Sequence, residues 1–116
     1  MSRNKAKGTA AETAVVNWLR DHLLERDARY IERRTLQGAK DTGDIAGLPG
    51  IVIEVKNHAK HDLPGWLREL QTEVDNAHAT LGLLVIKKRG TTKPSQWYWL
   101  IDPRFIAPLI ARSVNQ

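Results

Sequence analysis

The sequence predicts an α/β fold, a mixed β-sheet flanked by α-helices, and three observations carry that expectation. Ala11, Val15, Trp18, Leu19 and Leu23 recur at helical spacing, and so do Leu67, Leu70, Val74, Ala77 and Leu81. Ile51-Val52-Ile53-Glu54-Val55-Lys56 is dominated by β-branched residues and follows Leu48-Pro49-Gly50, which reads as a turn. Leu83-Leu84-Val85-Ile86 is a continuous apolar run, the pattern of a strand buried on both faces. Helices that alternate with such strands bury their apolar stripes against the faces of a sheet.

Taken in order, residues 1–8 hold Arg3, Lys5 and Lys7 without an apolar anchor and read as a flexible basic arm on a single domain of residues 1–116. The first helix is expected from Thr9. Residues 28–36, with Tyr30, Ile31 and Thr35, read as a first strand that places Arg33 and Arg34 on opposite faces. A connection through Lys40 leads to Asp41-Thr42-Gly43-Asp44, after which Ile45-Ala46 begins a strand. Pro64 fits the first turn of a second helix, with Asp62 or Leu63 near its cap and Gly82 as its left-handed end. Lys87-Lys88-Arg89 and Lys93 form a basic loop after the apolar strand. Gln96 to Ile101 reads as the next strand, with Trp97 and Trp99 on one face, where they cover the core or a dimer contact rather than bind bases. Asp102-Pro103 turns the chain into a short helix carrying Phe105, Ile106, Leu109 and Ile110.

Composition narrows the function classes. The chain has 116 residues, enough for one core, and no cysteine, which excludes a disulfide framework and thiolate zinc sites. Nothing in it is apolar for the length of a membrane span, and the expected setting is the cytoplasm, of the host if the chain is phage-encoded. A net charge of +5 and a pI near 9.8 favour a polyanionic partner. Arg3, Lys5, Lys7, Arg33, Arg34, Lys40, Lys60, Lys87, Lys88, Arg89 and Lys93 are the candidate phosphate contacts.

The chemistry concentrates in Asp41 to Asn57. On a strand, Glu54 and Lys56 project from one face about 7 Å apart, and charges in so apolar a segment need a partner or a metal. If Leu48-Pro49-Gly50 closes a three-residue hairpin loop, Asp44 lies across from Glu54; a two-residue type II turn at Pro49-Gly50 shifts the register by one unless a bulge restores it. Carboxylates this close resist joint ionisation without a cation, and an all-oxygen set favours Mg²⁺, with Mn²⁺ able to substitute. Asp41 is a rival ligand that also reads as a turn former. Thr9-x-x-Glu12 reads equally as a helix capping box. His58-x-x-His61 has no third ligand at convincing spacing and reads as an exposed loop.

Asp44, Glu54-Val55-Lys56 and the upstream Gly8-x-x-x-Glu12 resemble the D…ExK and GxxxE motifs of the PD-(D/E)XK nuclease superfamily, with Gly43 in place of the motif's proline. Size and charge are most similar to its archaeal and phage Holliday junction resolvases. The resemblance implies a restriction-endonuclease-like core and a Mg²⁺-dependent endodeoxyribonuclease that makes paired nicks in four-way junctions as a homodimer. It implies that Asp44, Glu54 and the Val55 backbone carbonyl hold the metal, that Glu12 completes the site directly or through a water, and that Lys56 positions the attacking water. Gln71 falls in a helix that supports such sites. Two other readings stand beside this one: a superfamily nuclease acting on duplexes, flaps or splayed arms, and a non-catalytic basic DNA-binding module in which Glu54 and Lys56 are a strand ion pair.

Overall fold

The computed structural model describes residues 3–35 and 41–115, the side chains of Arg3 and Asn4 excepted. Lys40 and the side chain of Arg3 therefore lie outside the described residues. Helix α1 is Arg3–His22 and α2 is Glu25–Ala28; strands β1, Glu32–Arg33, and β2, Ile45–Ala46, pair antiparallel. Then come β3, Ile51–Lys56, α3, Leu63–Ala77, β4, Leu81–Ile86, β5, Tyr98–Ile101, and α4, Ile106–Val114. β4 is central in a mixed three-stranded sheet, parallel to β3 and antiparallel to β5.

The alternation of β3 explains the layering. Ile53 and Val55 face α1, where they pack with Ala11, Val15, Val16, Leu19, Val85 and Trp97. Val52 faces α3 and packs with Trp66, Leu70, Val74, Leu84 and Ile86. A strand buried on both sides must be apolar on both, which is why Leu83–Ile86 reads as a continuous run; the strand itself starts earlier, at Leu81, which the sequence reading placed on the helix stripe. Among the described residues no helix is long and apolar enough to cross a membrane.

Several boundaries depart from the sequence reading. Residues 3–8 form the opening turns of α1 rather than an arm; Arg3, Lys5, Ala6 and Lys7 accept helical geometry, and Asn57 Nδ2 donates to the Lys7 carbonyl at 3.4 Å. Thr9 therefore sits inside a helix and caps nothing. The expected strand over 28–36 shrinks to Glu32–Arg33, because Glu25–Ala28 forms a helical turn whose last carbonyl accepts from Ile31 N at 3.1 Å. The second long helix ends at His78 in the left-handed conformation (φ 51°), four residues before Gly82. Gly82 belongs to β4, where a Cβ would lie 2.6 Å from Val74, so its bare backbone admits α3 onto the sheet. At the start of α3, Asp62 caps by accepting from Gly65 N at 3.1 Å and Pro64 occupies the first turn, as the sequence requires.

The last strand begins at Tyr98, after a short 3₁₀ turn at Pro94–Gln96. Trp97 and Trp99 do cover the core: their indole N–H groups donate to the Thr91 and Pro94 carbonyls at 2.9 and 2.8 Å, and Trp99 packs on Trp18 at 5.2 Å. Asp102 is fully buried and held by Arg104, whose guanidinium donates to its carboxylate at 2.8 and 3.0 Å. α4 runs to Val114, beyond the expected short helix, with Ile106, Leu109, Ile110 and Val114 exposed.

Candidate metal centre

β3 carries the centre of the site. Glu54 is 2 % exposed, on the α3 face of the strand, and Lys56 two residues on places its ammonium 3.4 Å from Glu54 Oε2. The turn before β3 is the two-residue form: Ile51 N donates to the Leu48 carbonyl at 3.1 Å, with Gly50 at φ +78°. β2 does not continue into a ladder with β3. Gly43 at φ +99° and Gly47 at φ +91° break the strand geometry on both sides of Ile45–Ala46, and β2 pairs with β1 instead.

The register is nevertheless recovered at Asp44. Its N–H donates to the Ile53 carbonyl at 2.9 Å and its Oδ2 accepts from Val55 N at 2.8 Å, so Asp44 brackets Glu54 from the edge of the sheet. On the other side, Arg34 N donates to the Asp44 carbonyl at 2.8 Å. The glycine before it is required: φ +99° is closed to proline, and a Cβ there would lie 2.9 Å from Val52 Cγ1 and 3.1 Å from the Ile53 carbonyl. Val55 lines the site, and its amide N–H donates to Asp44.

Glu12 projects from α1, and its Oε1 accepts from Arg33 Nε at 3.2 Å; it is an ion-pair partner and not a helix cap. Burial and the charge of Asp44 raise its pKa, against the opposing pull of Arg33. Helix α3 brings two acids that sequence reasoning missed. Glu69 accepts from Lys56 Nζ at 3.0 and 3.1 Å, and Glu73, 1 % exposed, lies one turn further along. Asp41, Glu54, Glu69 and Glu73 each offer an oxygen within 4.8 Å of the others, the one such group among the described residues. Asp44 and Glu12 are outside that group. The overlooked signal was the four-residue spacing of Glu69 and Glu73, with Glu73 set between the core residues Leu70 and Val74. Gln71, by contrast, offers its carbonyl to Arg104 at 3.3 Å.

The electrostatics are those of crowded carboxylates. Glu54 is driven far upward by burial, reinforced by Glu69 and Asp44, and Glu73 is pushed up to about 9 by burial and by Asp41. Glu69 is held below the usual carboxylate range by its hydrogen bond with Glu54 and by Lys56. Burial pulls the Lys56 ammonium down, yet Glu54 and Glu69 outweigh it and keep it protonated. Among the described residues, Glu54 Oε1 and both oxygens of Glu73 are buried without a hydrogen-bond partner. Buried carboxylates are normally satisfied by donors or a cation, so oxygen donors orphaned beside one another fit a hard divalent ion.

Glu12, Asp41, Asp44, Glu54 and Glu69 line a cavity of about 630 Å³ whose wall also carries Lys5, Arg33 and Arg34. An adjoining cleft of about 400 Å³ shares Asn57 and His58 with it and is lined by Lys7, His61, Lys87 and Arg89. Lys60, Lys88 and Lys93 are exposed and line neither. His58 and His61 both pack on the Trp66 ring, at 5.5 and 5.6 Å, in place of a metal pair. Set against family models, curated proteins and solved structures, the chain matches none of them.

Proposed function

We propose that the protein is a metal-dependent DNA endonuclease of the PD-(D/E)XK type, on a restriction-endonuclease-like core, that resolves four-way junctions as a homodimer. The observation that carries this reading is the buried Glu54 of β3, bracketed by Asp44 and 3.4 Å from Lys56, with an orphaned oxygen facing other carboxylates. A strand ion pair alone would not gather three further carboxylates around Glu54. Basic side chains beside an acidic centre suit a phosphodiester: Lys5, Arg33 and Arg34 on the cavity wall and Lys7, Lys87 and Arg89 in the next cleft draw in the backbone.

Asp44 and Glu54 would hold a divalent cation, Mg²⁺ or Mn²⁺, which would supply Lewis acidity toward a phosphate oxygen and lower the pKa of water. The residues of the chain do the rest. Asp44 is fixed by the Val55 amide, which leaves its other oxygen for a ligand. Lys56, kept protonated between Glu54 and Glu69, orients water and offsets charge developing on the phosphate rather than removing a proton. Paired nicks across a junction need two sites, which one chain of this size supplies only as a symmetric pair.

Labelled four-way junction, linear duplex, flap and splayed-arm DNA incubated with protein and Mg²⁺ or EDTA tests the reading. Symmetric nicks confined to the junction and abolished by EDTA are expected. Metal-dependent cutting of other substrates would retain the nuclease and remove the resolvase; junction binding with no cutting under any metal would leave a binding module.

A further inference from the structure

The α3 side of the site has a donor set that the nuclease position does not use. Glu73 is 1 % exposed and, among the described residues, neither of its oxygens meets a donor; Glu54 Oε1 is likewise without a partner there. The nearby ammonium of Lys56 is engaged by Glu69 and by Glu54 Oε2, and leaves Glu73 unmatched. A carboxylate buried without donors or a cation is costly, and this one sits among three others whose oxygens fall within 4.8 Å.

The cluster is also held in place from two directions. Glu69, Glu73 and Asn76 lie on one face of α3 at helical spacing. Asn76 Nδ2 donates to the Asp41 carbonyl at 2.9 Å, and Asp41 Oδ1 accepts from Gly43 N at 2.9 Å, which aims the Asp41 loop at the helix. Asp44 is tied to Val55 at the sheet edge and stands outside this group.

We propose that Asp41, Glu54, Glu69 and Glu73 form a second divalent-cation position that shares Glu54 with the Asp44 side and takes Ca²⁺ or Mn²⁺ in preference to Mg²⁺. The preference follows from the donors. Mg²⁺ usually keeps several waters and one or two carboxylates, whereas four converging carboxylates, two of them buried, suit the larger, more flexible shells of Ca²⁺ and Mn²⁺. Only the word second rests on the nuclease reading; the cage itself does not.

Titration of the full chain with Mn²⁺, counting free ion by its electron paramagnetic resonance signal, tests this. The wild type is expected to bind two ions per chain. Glu73→Gln weakens one of them at least about tenfold, while Asp44→Asn weakens the other and keeps the Glu73-dependent ion. Ca²⁺ should displace the Glu73-dependent ion at lower concentration than Mg²⁺. Circular dichroism checks folding, and Glu69→Gln, at a partly exposed position, replaces Glu73→Gln if that variant does not fold. A single ion that neither substitution on α3 affects, or no bound ion, would overturn the proposal, and displacement by Mg²⁺ as readily as by Ca²⁺ would overturn the selectivity. An α3-dependent ion in a protein that cuts no DNA would instead retain the cage and remove the nuclease.

Discussion

Replacing Glu73 by glutamine should stabilise the metal-free protein at alkaline pH and flatten its pH dependence. Glu73 is 1 % exposed, and burial with Asp41 pushes its pKa from 4.5 up to about 9. Between those values the folded chain keeps a proton that the unfolded chain releases. Its contribution is therefore intact below pH 4.5 and is lost as pH rises toward about 9. The loss accrues at about 1.4 kcal/mol per pH unit and reaches an upper limit of about 5 kcal/mol by pH 8, less whatever relaxation and water entry recover. Glu54, raised in the same direction, adds a second proton to the slope. Urea unfolding in EDTA at several pH values reads this directly, through the midpoint and the extrapolated free energy. Glu73→Gln should remove about one proton from the slope and raise the midpoint at pH 8. A wild-type stability that is flat between pH 5 and pH 8, or a Glu73→Gln variant less stable than wild type at pH 8, would refute the argument that these carboxylates are held unsatisfied.

The remaining predictions concern other parts of the molecule. Lys56→Ala should lower the cleavage rate about 10²–10³-fold while DNA binding survives, as measured by single-turnover cleavage beside an equilibrium binding assay. Lys87→Ala with Arg89→Ala should leave the metal count unchanged and reduce the slope of log Kobs against log[salt] by about two, measured by fluorescence anisotropy. Arg104→Ala leaves the buried Asp102 without its cation and should cost about 2–3 kcal/mol in urea unfolding, less than for a fully buried pair because water reaches the guanidinium. Gly43→Pro, which would restore the residue found in the motif, should destabilise by about 2 kcal/mol or more, since its φ of +99° lies outside the range of the ring.

What the sequence disclosed and what it hid have physical reasons. β3 and β4 were legible because buried strands need apolar residues on both faces, and nothing else in 116 residues reads that way. Glu54 and Lys56 were legible as charges inside such a strand. The ladder assumed between Asp44 and Glu54 is absent, yet Asp44 still comes beside Glu54, because side-chain and backbone bonds to Val55 and Ile53 hold it there. The short elements were not legible: β1 is two residues long and defined by what it pairs with, and α2 is a single turn. Glu69 and Glu73 were passed over because acids on a helix ordinarily mark its solvated face, and only the packing of α3 on β3 reveals that these two point inward. Asp41 was weighed as ligand or turn former, and it is positioned for both: Oδ1 accepts from Gly43 while the carboxylate joins the cluster.

The most direct test of the central claim is single-turnover cleavage of a labelled four-way junction at saturating protein, with Mn²⁺ or EDTA, comparing wild type with Glu54→Ala. The account predicts phosphodiester cleavage that requires the cation and falls to background in Glu54→Ala, while both proteins bind the junction alike. Cleavage by Glu54→Ala at the wild-type rate, or cleavage by wild type undiminished in EDTA, would contradict it.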